Sequence, residues 1–214
     1  MLKGAIFDVD GTLLDSMSIW ENLGKDYLRS LGVVPRDDLR DALRPLSCGQ
    51  TAKYLKTEYC LSLSEDEITK SITRMIADFY INSAKLKPGI KELIDKLKNK
   101  NIILCIATAS DEELVKSALK REGILHCFDR IFTCEAVGKS KSYPDVFEAA
   151  LLHIGCGKNE CIVFEDSYHA ICTARSAGFT VAGIYDQFEP RWERAKHECD
   201  FWFDTVEPPY PFEY

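Results

Sequence analysis

No apolar run in the 214-residue chain approaches the roughly 20 residues that a membrane-spanning helix needs, and no transmembrane segment is expected. There is no excess of positive charge either. Against 27 Lys and Arg stand 34 Asp and Glu, a formal net charge of −7. That balance lacks the basic footprint required by nucleic acid or an anionic membrane surface, so neither is expected as a partner. Nine cysteines run from Cys48 to Cys199, but the number is odd and no Cys-x-x-Cys pair occurs. Disulfides and a zinc site are therefore not expected, and Cys105 and Cys172 fall at apolar positions where a free thiol packs as a small hydrophobe. The four histidines, His126, His153, His169 and His197, read as solvated or hydrogen-bonded loop residues. Internal repeats and low-complexity segments are missing. Met1-Leu2-Lys3-Gly4 leads straight into an apolar run without the basic, apolar and small-residue succession of a secretory leader, which predicts a cytoplasmic protein.

What is present is an ordinary globular composition, 46% hydrophobic and 29% charged, sufficient for one large core with a modest insert. Ala5-Ile6-Phe7 reads as a buried strand. Helical periodicity then holds to about Lys85: Ser18 to Leu31 ended by Gly32, Thr51 to Glu58, and a third helix through Ile68, Ile72, Met75, Ile76 and Phe79. From Pro88-Gly89 the pattern changes to helix alternating with strand. The predicted strands are Ile102 to Ala107, Arg130 to Thr133, Cys161 to Phe164 and Val181 to Tyr185, with helices between them ending near Gly123, Gly155 and Gly178. This alternation predicts an α/β fold, a doubly wound parallel sheet covered by helices on both faces, with ligands at the carboxyl ends of the strands. The expected division is a catalytic core formed by 1–15 and 86–214, with a helical cap at 16–85. At the end of the chain, Arg191 to His197 reads as a helix and Phe201-Trp202-Phe203 as an edge strand. The proline-rich stretch Glu207 to Pro211 can continue neither, leaving a packed or frayed tail or a partner-binding segment as its readings.

The chemistry gathers at predicted strand ends. Asp8 and Asp10, spaced i, i+2 after the first strand, point the same way from extended backbone. Their mutual repulsion calls for a cation. Glu165-Asp166 ends the fourth predicted strand, where two acids beside a sheet core are costly without a counter-charge. An anionic small substrate would be compatible with the acidic chain only if a metal and a lysine supplied local positive charge.

Asp8-x-Asp10-Gly11-Thr12 after an amino-terminal strand resembles the first motif of the haloacid dehalogenase-like superfamily, in its phosphatase and phosphomutase branch. The resemblance implies that Asp8 attacks phosphorus to form an aspartyl-phosphate, while Asp10 serves as general acid and then general base. Thr108 resembles the second motif, whose hydroxyl and following backbone N–H hold phosphoryl oxygens, so Thr108, Ala109 and Ser110 are substrate-binding candidates. Ser110 has a second reading, as the cap of a capping box with Glu113. Lys141 stands in Lys-x-x-Pro-Asp-x-Phe, which matches the third motif and its charge-neutralising lysine; Lys139 lacks that register. Glu165-Asp166 is similar to the fourth motif, implying Mg²⁺ held by Asp8, Asp166 and the backbone carbonyl of Asp10, with Glu165 acting through water. Oxygen ligands suit that hard cation. Ala170 stands where the family usually has glycine.

The implied activity is Mg²⁺-dependent hydrolysis of a small phosphorylated metabolite by a monomer. The helical insert resembles the branch containing phosphoglycolate phosphatases and β-phosphoglucomutases. A sugar phosphomutase is the enzymatic alternative, and a non-catalytic phosphometabolite-binding protein is the alternative of another class. Dehalogenation and phosphonate cleavage are disfavoured, because those branches do not place Asp at position 10. Against a mutase, Trp20 stands where the β-phosphoglucomutases have a histidine, and Cys48 where they have an arginine for the distal phosphate. Trp20, Cys48, Gln50 and Thr51 are candidate readers of the substrate, but they match no recognition pattern that names it.

Overall fold

The computed structural model describes residues 1–43 and 46–210, apart from the side chain of Cys48. The chain divides into two compact units, Met1–Ser16 with Ala84–Tyr214, and Met17–Ser83. Among the described residues the first unit holds six strands: β1 (Gly4–Phe7), β2 (Ile103–Thr108), β3 (Arg130–Thr133), β4 (Cys161–Glu165), β5 (Thr180–Ile184) and β6 (Phe201–Phe203). They form one parallel sheet in the order β3-β2-β1-β4-β5-β6. The expected doubly wound α/β fold is borne out. The chain winds outward from β1 to β3, then returns to the other side of β1 as β4, so the winding reverses beside the carboxyl end of the central strand. In such sheets that is where a crevice opens.

Alternation along the strands builds both sides of the core. On one face Ile6, Cys105, Ala107, Val163 and Val181 meet Val146, Phe147, Ala150, Ile171 and Ala174 in a single buried cluster. Phe7 and Phe164 face the other way and stack with centroids 4.3 Å apart, while Phe128 meets the edge of Phe7. Among the described residues the insert provides four helices, α1 (Met17–Ser30), α2 (Leu39–Leu43), α3 (Cys48–Glu58) and α4 (Glu65–Asn82). Ser47 and Ser64 cap α3 and α4 with reciprocal capping boxes to Gln50 and Glu67, and Ile68, Ile72, Ile76 and Tyr80 form the buried stripe of α4. No helix among the described residues is long and apolar enough to cross a membrane.

Around the sheet run α5 (Ile90–Asn99), α6 (Glu112–Arg121), the single turn α7 (Cys134–Val137), α8 (Asp145–Ile154), α9 (Tyr168–Ser176) and α10 (Trp192–Glu198). Ile90, Leu93, Ile94 and Leu97 are the buried face of α5, as their spacing predicts. Gly89 precedes that helix with φ of 80°, and a Cβ there would sit 1.7 Å from the carbonyl oxygen of Val206. Only glycine fits such an approach. Cys48 opens α3, but the substrate-reading role considered for its side chain lies outside the described residues, as does the part of the tail from Pro211 onward. Among the described cysteines, all are free thiols.

Candidate active site

β1 is buried along its whole length and delivers Asp8 to the carboxyl edge of the sheet, where the Asp8 N–H donates to the Phe164 carbonyl at 3.0 Å. The chain then turns sharply. Gly11 takes φ of 81°, and the Leu13 and Leu14 N–H groups both return to the Val9 carbonyl. The neighbouring strands end level with this turn: β2 at Thr108 and β4 at Glu165, with Asp166 following. Lys141 arrives from the loop between α7 and α8.

These residues meet. The Lys141 ammonium donates to Asp8 Oδ1 and, at 2.6 Å, to Glu165 Oε1. Glu165 Oε2 accepts the Ser167 N–H at 3.2 Å, and the Thr12 hydroxyl donates to Asp166 Oδ1 at 3.3 Å. Asp8, Lys141, Glu165 and Asp166 are all buried. Lys139 turns away to pair with Asp145 at 2.7 Å on an exposed part of the loop, which distinguishes the two candidate lysines geometrically.

Asp10 faces a different set. Its Oδ1 accepts from the Ser16 hydroxyl and its Oδ2 from the Ser110 hydroxyl. The Ser110 N–H in turn donates to Thr108 Oγ1 at 3.0 Å, so the ends of β1 and β2 are tied through Asp10. The capping-box reading of Ser110 is thereby overturned. Asp111 caps α6 instead, its carboxylate accepting the N–H groups of Glu113 and Leu114 at 2.9 and 3.0 Å. An aspartate one residue nearer the helix has the better reach, and Ser110 is left to Asp10. Ala109 is exposed at the same edge.

The site is electrostatically short of positive charge. Burial pushes the Asp8 carboxyl up to about 7, with Lys141 opposing and Glu165 and Asp10 reinforcing the shift. Burial, then Glu165, Asp8 and Asp186, raise Asp166 well above the ordinary carboxylate range. Burial works against the Lys141 charge, but Asp8 and Glu165 outweigh it and raise its pKa. One ammonium among three buried carboxylates leaves a negative cluster. Asp8, Glu165 and Asp166 each bring an oxygen within 4.8 Å of the others, and this all-oxygen donor set fits a hard divalent cation.

Several participants carry no signal in local sequence. Ser16 and Thr12 lie within the first motif but have their partners only in three dimensions. Lys87 and Asp186 approach the same turn from distant points: the Lys87 ammonium donates to the Gly11 and Tyr185 carbonyls at 2.7 Å each and to Asp186 Oδ2 at 2.9 Å. His153 and His169 have other partners than Asp8, Glu165 and Asp166 among the described residues. His169 meets the Ser167 hydroxyl at 2.6 Å, His153 pairs with Asp129, and His197 is exposed.

Comparison with known proteins agrees with the motifs. Residues 5–184 match the family model for haloacid dehalogenase-like hydrolases. The chain is 29% identical over 187 residues to a validoxylamine A 7′-phosphate phosphatase of Streptomyces hygroscopicus subsp. limoneus, covering 86% of each sequence. It is 25% identical over 178 residues to hexitol phosphatase B of Escherichia coli strain K12, covering 82% of this chain and 80% of that one. Its fold is similar to the crystal structure of a β-phosphoglucomutase candidate from Thermotoga maritima, with a TM-score of 0.83 at 21% identity over 94% of each chain. A family match over most of the chain, with three of its motifs at the adjacent ends of β1, β2 and β4 and the motif lysine, Lys141, brought to them from the α7–α8 loop, makes this protein a member of the haloacid dehalogenase-like hydrolases.

Proposed function

We propose that this protein is a Mg²⁺-dependent phosphatase that hydrolyses a small phosphomonoester through an aspartyl-phosphate on Asp8. The observation that carries the reading is the buried constellation of Asp8, Lys141, Glu165 and Asp166 beside the hydrogen-bonded Asp10. Relatives named as a hexitol phosphatase and a validoxylamine A 7′-phosphate phosphatase support a small phosphomonoester as substrate.

Phosphoryl transfer asks for in-line positioning and charge neutralisation. In the proposed cycle an Asp8 carboxylate oxygen bonds to phosphorus as the bond to the leaving oxygen breaks, and Asp10 gives that oxygen its proton. Asp10 then takes a proton from water, the water oxygen bonds to phosphorus, and the bond to Asp8 breaks to release phosphate. Lys141 offsets the repulsion between the Asp8 carboxylate and the incoming phosphate. A Mg²⁺ ion held by Asp8, Asp166 and the Asp10 backbone carbonyl would supply the remaining counter-charge. The Thr108 hydroxyl and the backbone N–H groups of Ala109 and Ser110 are the proposed holders of the phosphoryl oxygens. The helical unit is proposed as the cap, which supplies substrate contacts and excludes bulk water.

Incubation of the protein with phosphorylated sugars, nucleotides and small acids, with Mg²⁺ or EDTA, tests the proposal. The expected result is Mg²⁺-dependent phosphate release from a subset of these compounds. β-Glucose 1-phosphate, with and without a bisphosphate activator, is the control for transfer to sugar. Trp20 offers only an indole N–H and cannot relay a proton, so water is the expected acceptor. Glucose 6-phosphate formed without comparable phosphate release would replace this reading with a mutase.

A further inference from the structure

The proposed cycle makes no use of Lys87, yet all three donors of its ammonium are engaged by the Gly11 carbonyl, the Tyr185 carbonyl and Asp186 Oδ2. The Lys87 side chain is only 13% exposed and that of Asp186 only 3%. A lysine is seldom buried unless its charge is paired and its protons are accepted, and here both conditions are met. The main chain adds to the fixation. The Lys87 N–H donates to the Leu13 carbonyl and the Asp15 N–H to the Lys85 carbonyl, each at 2.9 Å, while Leu14 and Leu86 form an antiparallel bridge. Residues 85–87 therefore lie alongside residues 13–15, directly after the acidic turn.

The contact falls on the most pliable point of that turn. Gly11 sits at φ of 81°, where the missing Cβ leaves the backbone free to rotate, and it follows Asp10 immediately. Its N–H is tied to the Leu14 carbonyl at 2.9 Å, and its carbonyl is held by the largely buried Lys87 ammonium. The Gly11 N–H lies in the peptide plane shared with the Asp10 carbonyl and the Gly11 carbonyl in the plane shared with Thr12, so the two hydrogen bonds together fix both peptides flanking the glycine and with them the backbone that leads back to Asp10.

We infer that Lys87 is a positioning residue for the Asp8–Thr12 turn: its ammonium, braced by Asp186, clamps the Gly11 carbonyl and so sets the backbone from which Asp10 works. The inference rests on reading Asp8 and Asp10 as the reacting acids. Lys87→Met leaves Asp186 buried and unpaired, whereas Lys87→Met combined with Asp186→Asn removes both charges and relieves that penalty. Three quantities decide the matter: kcat on p-nitrophenyl phosphate with Mg²⁺, the melting temperature, and amide hydrogen exchange in residues 9–14 compared with β2 and β4. The double variant is expected to melt above the single one. Its kcat should stay depressed by about 10- to 100-fold, the scale of a misplaced reacting group, with exchange accelerated in the turn but not in the strands. A double variant with kcat within about threefold of the unsubstituted protein and a fully protected turn would overturn the clamp. If Lys87→Met does not fold, the double variant carries the test by itself. Failure of the underlying reading is separately visible, because Asp8→Asn would then retain turnover whatever the exchange of the turn.

Discussion

The Lys141 ammonium donates to the Asp8 carboxylate across 133 residues of sequence, in the buried centre of the site. Because Lys141 faces both Asp8 and Glu165, its loss leaves three buried carboxylates without a cationic partner. Lys141→Met is expected to lower kcat for phosphate release by about 100-fold or more, as removal of a preorganised charge commonly does. Lys139→Met breaks an exposed pair with Asp145 and a contact with the exposed Tyr143 ring, and its kcat should stay within about twofold. Steady-state kinetics on the two variants side by side check the assignment, and the opposite ranking would reverse it.

Asp8→Asn separates chemistry from folding. It removes the proposed nucleophile and also a carboxylate whose ionisation is opposed by burial. Phosphate release should fall by about a thousandfold or more, while the melting temperature in EDTA is expected to hold or rise. Retention of activity within about tenfold would remove the covalent step from the mechanism.

Much of this arrangement was legible because the candidate site carboxylates follow buried apolar runs. Ala5-Ile6-Phe7 locates β1, and Asp8 must then emerge at its end; the same argument carries Cys161 to Phe164 on to Glu165 and Asp166. The strand bounds differ by a residue or so, since β2 ends on Thr108 rather than Ala107 and β5 begins on Thr180. Short helices escape because α2 and α7, of five and four residues, are too brief to display a period. Partners far apart in sequence escape for another reason. Nothing local to Lys87 indicates that Gly11 and Asp186 lie within reach, and Ser110 fits a capping pattern that Asp111 satisfies better once the backbone direction is known.

Ser110 and Asp111 therefore make a paired test of adjacent residues with different tasks. Ser110→Ala removes a hydrogen bond to Asp10 without uncapping a helix, so kcat should fall by about tenfold while the melting temperature shifts by no more than about 2 °C. Asp111→Ala deletes the α6 cap and should cost about 1 kcal/mol of stability with kcat nearly unchanged. Urea denaturation and kinetics on both variants read the two effects separately. A stability loss on Ser110→Ala alone would return that residue to the helix.

The last prediction concerns pH and metal together. The Asp8 pKa rises from 3.8 to about 7 in the folded protein, and burial raises Asp166 in the same direction. A carboxyl raised in this way binds its proton more tightly folded than unfolded. At pH values below 3.8 both states hold the Asp8 proton and nothing is lost. Between there and about 7 the unfolded chain has released a proton that the native site retains, so stability falls as pH rises across this window and the Asp8 penalty is fully present above it. In EDTA the melting temperature should accordingly decline from about pH 5 to about 7.5, and Asp166→Asn should flatten the decline relative to the unsubstituted protein. Mg²⁺ acts on the other side of the balance. It binds the ionised carboxylates, so the stabilisation it brings should grow over the same interval as protons leave the site. Thermal melts at matched ionic strength, with EDTA or with excess Mg²⁺, measure both slopes. If the Mg²⁺ increment were independent of pH, or unchanged by Asp166→Asn, the buried acids would not be the metal site.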